Sequence, residues 1–141
     1  FIFATDISIK SILVAKQNAA KFCCENIIFL NHDWNNEWLF PQVDYLISNP
    51  PYVDKEATSG KEEGIWHEPE IALFSKDKGL SDLKLILSKG KNFLNENGKV
   101  YLEHAPDQYE ELNKFAMENG YLNFSNLNDL NGDKRVSIYQ C

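Results

Sequence analysis

The sequence predicts an α/β fold: a mostly parallel sheet with helices on both faces, closed by an antiparallel hairpin. Short apolar runs that end at acids or turn residues have the length and make-up of buried parallel strands. Segments with apolar residues at helical spacing alternate with these runs, as crossover connections require. The final segment carries two strand-like arms about an Asn-Gly-Asp turn.

Taken in order, Phe1 to Thr5 is the first apolar run, and it ends at Asp6. Ser8 offers an N-cap to a helix bearing Ile9, Ile12, Leu13, Ala19 and Ala20 at helical spacing. Asn26 to Leu30 is a second strand, closed by Asn31-His32-Asp33-Trp34, and Val43 to Ser48 is a third. Val53 to Lys78 is polar, contains Gly60, Gly64 and Pro69, and has little periodicity. So long a structureless stretch in a compact domain points to function. Leu83, Ile86, Leu87, Gly90 and Leu94 then share one helical face, with Asn97-Gly98 predicted to end that helix before a strand over Lys99 to Glu103. Leu112, Phe115 and Ala116 mark another helix, stopped by Gly120. Tyr121 to Leu127 and Arg135 to Tyr139 are the hairpin arms, with Asn131-Gly132-Asp133-Lys134 near the turn. No internal repeat interrupts this order.

The chain of 141 residues is one domain's worth of material, and 43% hydrophobic residues suffice to bury a core. Its apolar runs fall short of the ~20 residues of a membrane span. A net charge of -7 argues against general affinity for nucleic acid phosphates, which takes a basic surface. Cys23, Cys24 and Cys141 lack both metal-ligand and disulfide-framework spacing, which predicts no metal site and a reducing, cytoplasmic setting. The sequence opens on Phe1-Ile2-Phe3 with no Met, basic leader or cleavage signal, and so reads as beginning inside a strand.

Asn49-Pro50-Pro51-Tyr52 follows a predicted buried strand directly. Ligands of open α/β sheets sit beyond the carboxyl ends of strands, so the place is right for chemistry. Two prolines fix φ at successive positions, hold Asn49 extended and remove two backbone donors. What remains is a rigid corner rich in acceptors: the Asn49 side-chain oxygen and the carbonyls of Asn49 and Pro50. Such a corner suits a planar –NH2 group. Two acceptors take its hydrogens while Tyr52 packs on its face, and electron density shifts onto an otherwise poorly nucleophilic nitrogen. The lone pair is then aimed at an electrophilic methyl, and positioning of this kind is worth up to roughly 7–11 kcal/mol. No strong base is needed, because the methylated nitrogen is acidic enough to lose its proton afterwards. The competing reading is a stiff turn without chemistry.

Asp6, ending the first strand, can accept both hydroxyls of an adenosyl ribose. Its competing reading is an acid favoured by a helix N-terminus, since Ser8 is close behind. Asp33 can accept an adenine amine and Trp34 can cover the base, against the alternative of a tryptophan buried for packing.

In this order, Asp6, Asp33-Trp34, Asn49-Pro50-Pro51-Tyr52, His67-Glu68-Pro69, Gly79-Leu80, Leu102-Glu103-His104 and Asp133-Lys134-Arg135-Val136 resemble the HemK/PrmC family. These are protein-(glutamine-N5) methyltransferases of peptide chain release factors. The tetrapeptide alone is shared with adenine-N6 methyltransferases, whereas Glu68-Pro69, Glu103-His104 and the tail are more specific. The resemblance implies a class I S-adenosylmethionine-dependent methyltransferase, with a Rossmann-like sheet, acting on the glutamine of a Gly-Gly-Gln loop. It implies that Asp6, with Ile7 beside it, binds the cofactor ribose and that Asp33 and Trp34 lie at the adenine. Asn49 touches both cofactor and substrate amide, Pro50 and Tyr52 complete the catalytic corner, and Pro51 helps frame the substrate pocket. Glu68 and Pro69 belong to the pocket wall, with a solvated loop as the competing reading for His67 and Glu68. His104 and His32 read as structural.

The resemblance departs at the beginning. Family members carry a helical N-terminal domain, then a strand and Gly-rich turn that cradles the cofactor's methionine portion, and no such motif precedes Asp6. Residues 1–141 are therefore expected to be the C-terminal portion of one catalytic domain, its first strand and helix missing. Exposed sheet edges are then open to self-association. The rival readings are an adenine-N6 methyltransferase of DNA or RNA, disfavoured by the acidic balance, and a non-catalytic partner-binding piece, favoured by the absent glycine turn. An NAD-dependent oxidoreductase leaves the Asn-Pro-Pro-Tyr corner without a purpose. The chain by itself is expected to bind S-adenosylmethionine weakly or not at all, and low-micromolar affinity by titration calorimetry would refute that expectation.

Overall fold

The computed structural model describes residues 1–58 and 68–141, in two compact units, Phe1–Pro41 and Gln42–Cys141. The first unit is a βαβ element: β1 (Ile2–Asp6), α1 (Ile9–Lys21) and β2 (Ile27–Asn31). The strands pair in parallel from Ile2↔Ile27 to Asp6↔Asn31, so their carboxyl ends lie side by side. Ser8 has the extended backbone of an N-cap, and its Oγ accepts from the Ser11 N–H at 3.3 Å, satisfying a first-turn donor. The helix buries Ile12 and Ala19, while Leu13, predicted on the same face, is 53% exposed. Past its end, Cys23 takes a positive φ of 54°, and Cys23 and Cys24 are exposed free thiols. Beyond β2 an aromatic cluster forms: the Phe40 ring stacks on Phe3 at 6.2 Å and on Trp38 at 5.6 Å, with the His32 ring edge-on at 5.7 Å.

The second unit comprises β3 (Val43–Ser48), β4 (Val53–Asp54), α2 (Lys55–Thr58), α3 (Glu70–Leu73), β5 (Phe74–Ser75) and α4 (Ser81–Gly90). It continues through β6 (Leu94–Glu103), a 3-10 turn (Pro106–Gln108), α5 (Tyr109–Glu118), β7 (Asn123–Asn128) and β8 (Lys134–Gln140). Its main sheet has the order β3-β6-β8-β7, with β3 parallel to β6 and the other pairs antiparallel. One face carries Val100 and Leu102 of β6 and Tyr139 of β8, all fully buried. The core completes itself with Leu83, Ile86 and Leu87 of α4 and Leu112 and Ala116 of α5. Tyr121 ties the layers by donating its hydroxyl to the Leu87 carbonyl at 2.8 Å. Burial drives its phenol well above the usual tyrosine range, so it stays protonated. At Gly90 a Cβ would meet Leu46 Cδ2 at 2.6 Å, so a larger residue there would require the Leu46 side chain to move. On the other face Tyr45 and Ile47 of β3 are exposed. No helix among the described residues is long and apolar enough to cross a membrane.

Two sequence expectations are corrected. The helix predicted to run through Leu94 stops at Gly90, and Leu94 is already in β6, 5% exposed. Asn97, at φ 63°, and Gly98 make a bulge inside that strand, where the register jumps from Val43↔Leu94 to Tyr45↔Lys99. The polar stretch from Val53 to Lys78 supplies two short strands: Val53-Asp54 pairs in parallel with Phe74-Ser75. Gly60, Gly64 and His67 lie outside the described residues. The hairpin arms start and end within two residues of their predicted bounds, and Asp129 Oδ1 holds the turn by accepting from the N–H groups of Asn131 and Asp133 at 2.9 and 3.1 Å.

His104, just past β6, is wholly buried and doubly bonded. Its Nδ1 lies 2.7 Å from the Ala105 carbonyl, which only accepts, so Nδ1 carries the proton. Nε2, at 2.8 Å, then accepts from the Ser137 hydroxyl. Burial holds the imidazole below its usual 6.5, helped by the charge of Arg135 and opposed by the Ala105 bond. The unfolded chain therefore binds a proton that the folded chain excludes. Stability from this site is complete above pH 6.5 and declines as pH falls from 6.5 toward the lowered folded value. An NMR titration of the His104 ring is expected to show a midpoint below 6.5, and a midpoint at or above it would refute the assignment. In urea denaturation, Leu87→Ala should cost about 2–5 kcal/mol, whereas Met117→Ala on the exposed side of α5 should stay within about 0.5 kcal/mol.

Candidate functional site

In the second unit, β3 ends at Ser48 and delivers Asn49-Pro50-Pro51-Tyr52 directly. The two prolines are buried, Pro50 completely, and they anchor the corner in the protein. Asn49 is exposed, and its side chain makes no hydrogen bond among the described residues. An amide with unused acceptor and donor groups thus projects from a fixed backbone. That is the arrangement a ligand-facing asparagine needs, and the reverse of an asparagine buried to satisfy the core.

Tyr52 is held at both ends. Its hydroxyl donates to Glu103 Oε1 at 3.0 Å, and its carbonyl accepts from Gln108 Nε2 at 2.8 Å. Burial raises the phenol's pKa, the hydrogen bond to Glu103 and its charge raise it further, Arg135 opposes, and Glu68 adds a last upward push. Tyr52 is therefore a neutral donor and a packing surface, not a base. The influence of Glu68 brings that carboxylate within electrostatic reach of Tyr52, though Glu68 and Pro69 are both exposed. Pro69 stands at the N-cap of α3 with φ -59°. His104 is occupied by its two buried bonds and has no proton to trade with a ligand.

In the first unit, Asp6 is half-buried where β1 ends, and its Oδ1 accepts from the Ser8 N–H at 2.7 Å. Its Oδ2 has no hydrogen bond among the described residues. The carboxylate lines an open recess of about 530 Å³ with Lys10, Ser11, Val14, Ala15 and Asn18. Backbone around it is fixed by Asn31, whose Nδ2 donates to the carbonyls of Asp6 and Ile7 at 2.9 and 2.7 Å. Asp33 and Trp34 follow β2, so they belong to the same sheet end as Asp6. Asp33 Oδ1 accepts from the backbone and side chain of Asn35, both at 2.8 Å, and the Trp34 carbonyl accepts from Trp38 Nε1 at 3.0 Å. The half-buried Asp6 carboxylate thus keeps one oxygen without a hydrogen bond among the described residues, beside an open recess.

The unit boundary thus separates the sequence-predicted residues into an acid-and-tryptophan set and an acceptor-corner set. Sequence reasoning missed Gln108 and the pairing of Tyr52 with Glu103. Glu103-His104 is distinctive in the sequence, but the order of residues does not show that its two members face different partners.

No family model matches the chain. It is 32% identical over 139 residues to a release factor glutamine methyltransferase of Francisella tularensis subsp. tularensis, covering 99% of this chain and 49% of that protein. It is 36% identical over 140 residues to a bifunctional methyltransferase of Rickettsia felis, covering 98% of this chain and 27% of that protein. The chain spans about half the length of the first of these relatives and about a quarter of the second. Among solved structures, a methyltransferase from Pyrococcus furiosus superposes with a TM-score of 0.69 at 18% identity, over 98% of this chain and 61% of that one. The ribosomal protein L11 methylase of Lactobacillus delbrueckii subsp. bulgaricus superposes with a TM-score of 0.66 at 17% identity, over 99% of this chain and 56% of that one. This chain shares the Rossmann-like α/β fold of those solved structures, and its similarity in sequence to the release factor glutamine methyltransferase reaches over 99% of the chain.

Proposed function

We propose that this chain carries the amide-binding corner of an S-adenosylmethionine-dependent methyltransferase that modifies the side-chain nitrogen of glutamine in the Gly-Gly-Gln loop of peptide chain release factors. The observation that carries the reading is the exposed Asn49 amide, without a hydrogen-bond partner among the described residues, on a corner anchored by two buried prolines. The relatives named for release factor glutamine methylation support the substrate.

When bound, S-adenosylmethionine supplies an electrophilic methyl group. Asp6 accepts the ribose hydroxyls, Ile7 lies beside them, Asp33 accepts the adenine amine and Trp34 covers the base. Asn49 Oδ1 and the Pro50 carbonyl take the two N–H bonds of the glutamine amide, while Tyr52 packs on its plane and Pro51, Glu68 and Pro69 border the pocket. Held in this way, the nitrogen presents its electrons to the methyl carbon, and the gain comes from positioning. The neutral Tyr52 and the occupied His104 suit a reaction that needs no strong base, the proton leaving after transfer. Free, exposed Cys23 and Cys24 suit the reducing cytoplasm, where translation takes place.

The test is transfer of labelled methyl from S-adenosylmethionine by the complete gene product containing this chain. Label is expected on the Gly-Gly-Gln glutamine of a release factor, and label on an oligonucleotide instead would favour adenine methylation. Asn49→Ala should lower kcat by about a hundredfold with a far smaller change in cofactor affinity, and equal losses would make Asn49 a cofactor residue only. Tyr52→Ala should mainly raise the KM for the release factor, and unchanged kinetics would refute its place in the pocket.

A further inference from the structure

We propose that Gln108 is a positioning residue that sets the aim of Asn49, an assignment that rests on the amide-methylation reading above. The Gln108 carboxamide joins three separate segments. Its Nε2 donates to the Tyr52 carbonyl at 2.8 Å and to the Lys78 carbonyl at 3.0 Å, and its Oε1 accepts from the Ala105 N–H at 2.9 Å. The residue is 6% exposed, and both of its N–H bonds are used. All three partners are backbone groups, so the clamp fixes where the chain runs, not which side chains it carries.

The corner needs such a clamp for a reason visible in its composition. Pro50 and Pro51 have no N–H to donate, so the loop cannot pin itself and must be held through its carbonyls by donors from elsewhere. Asn49 has no hydrogen bond of its own among the described residues, so its direction follows from the backbone alone. Tyr52 is the nearest residue held by hydrogen bonds at both ends, and Gln108 holds the end that belongs to the backbone.

The third segment is shaped to meet the clamp. Asp77, Lys78 and Gly79 take positive φ in succession, 53°, 54° and 83°. Strain of this kind persists where surrounding contacts over-determine it, and it clusters at functional loops. At Gly79 a Cβ would fall on the Tyr52 carbonyl oxygen and lie 2.6 Å from Gln108 Nε2, so only glycine lets this turn close on the corner. The 3-10 turn Pro106–Gln108 in turn places the carboxamide, because Oε1 bonds back to Ala105 at its start.

The experiment uses Gln108→Met, which keeps length and removes all three bonds, and Gln108→Glu, which keeps the acceptor for Ala105 but presents no donor pair to the two carbonyls. In the complete gene product, kcat for release factor methylation should fall about 10- to 100-fold in both folded variants, with cofactor affinity little changed. A purely structural glutamine would lower Tm in Gln108→Met and leave kcat at the wild-type level, which would overturn the proposal. The second readout needs no activity and no variant: the Gln108 side-chain amide protons of the wild-type protein should exchange with solvent slowly by NMR. Exchange at the free-amide rate would overturn the clamp, even if the variants fail to fold. Slow exchange in a protein that methylates no release factor would retain the clamp and sink the substrate reading.

Discussion

Two adjacent prolines strip a loop of the donors by which loops normally secure themselves. Everything about the Asn49 corner follows from that loss. Its apolar rings are buried, so the segment is fixed by packing where it cannot be fixed by its own hydrogen bonds. The Tyr52 carbonyl takes a donor from Gln108, and the Tyr52 side chain finds its own partner in Glu103. The proline pair also narrows the unfolded ensemble, so less entropy is lost when the corner forms. A stiff support of this kind leaves Asn49 free to spend its hydrogen-bonding groups on a ligand.

The surrounding electrostatics agree with a site that positions without serving as a base. Tyr52 is held protonated by burial and by the neighbouring carboxylate of Glu103, with Arg135 opposing. His104, just past β6, is enclosed, held below its ordinary pKa and engaged by Ala105 and Ser137. Arg135 Nη1 donates to the His104 carbonyl at 3.3 Å, so this cation is also tied to the framework. A glutamine amide has little need of a base before methyl transfer.

Much of the fold was legible because burial writes itself into spacing. The runs that became β1, β2 and β3 were short and apolar, and the helix that became α1 had its cap and its periodic residues. The end of α4 was not legible. Leu94 stands four residues after Gly90, which continues a helical face as readily as it begins a buried strand, and packing against the sheet decided for the strand. β4 and β5 are two residues each, too short to leave any period in the sequence. Leu13 shows the converse failure: helical spacing alone did not tell which flank of α1 would face solvent.

The candidate site divides along the same line. Asn49-Pro50-Pro51-Tyr52 could be found because its chemistry is contiguous: the prolines that stiffen the corner stand beside the groups they aim. Asp6 could be singled out because it stands at the end of a strand-like run. Gln108 could not, since between Pro106 and Tyr109 it looks like an ordinary polar residue at a helix start, and its three partners lie at residues 52, 78 and 105. Groups that meet a ligand announce themselves by type and place, whereas groups that hold them act through backbone atoms common to every residue. The support of a site is therefore visible only when the chain has been folded around it, and Gly79 gives the same lesson: its missing Cβ matters because of Tyr52, twenty-seven positions away in the sequence but in contact in space.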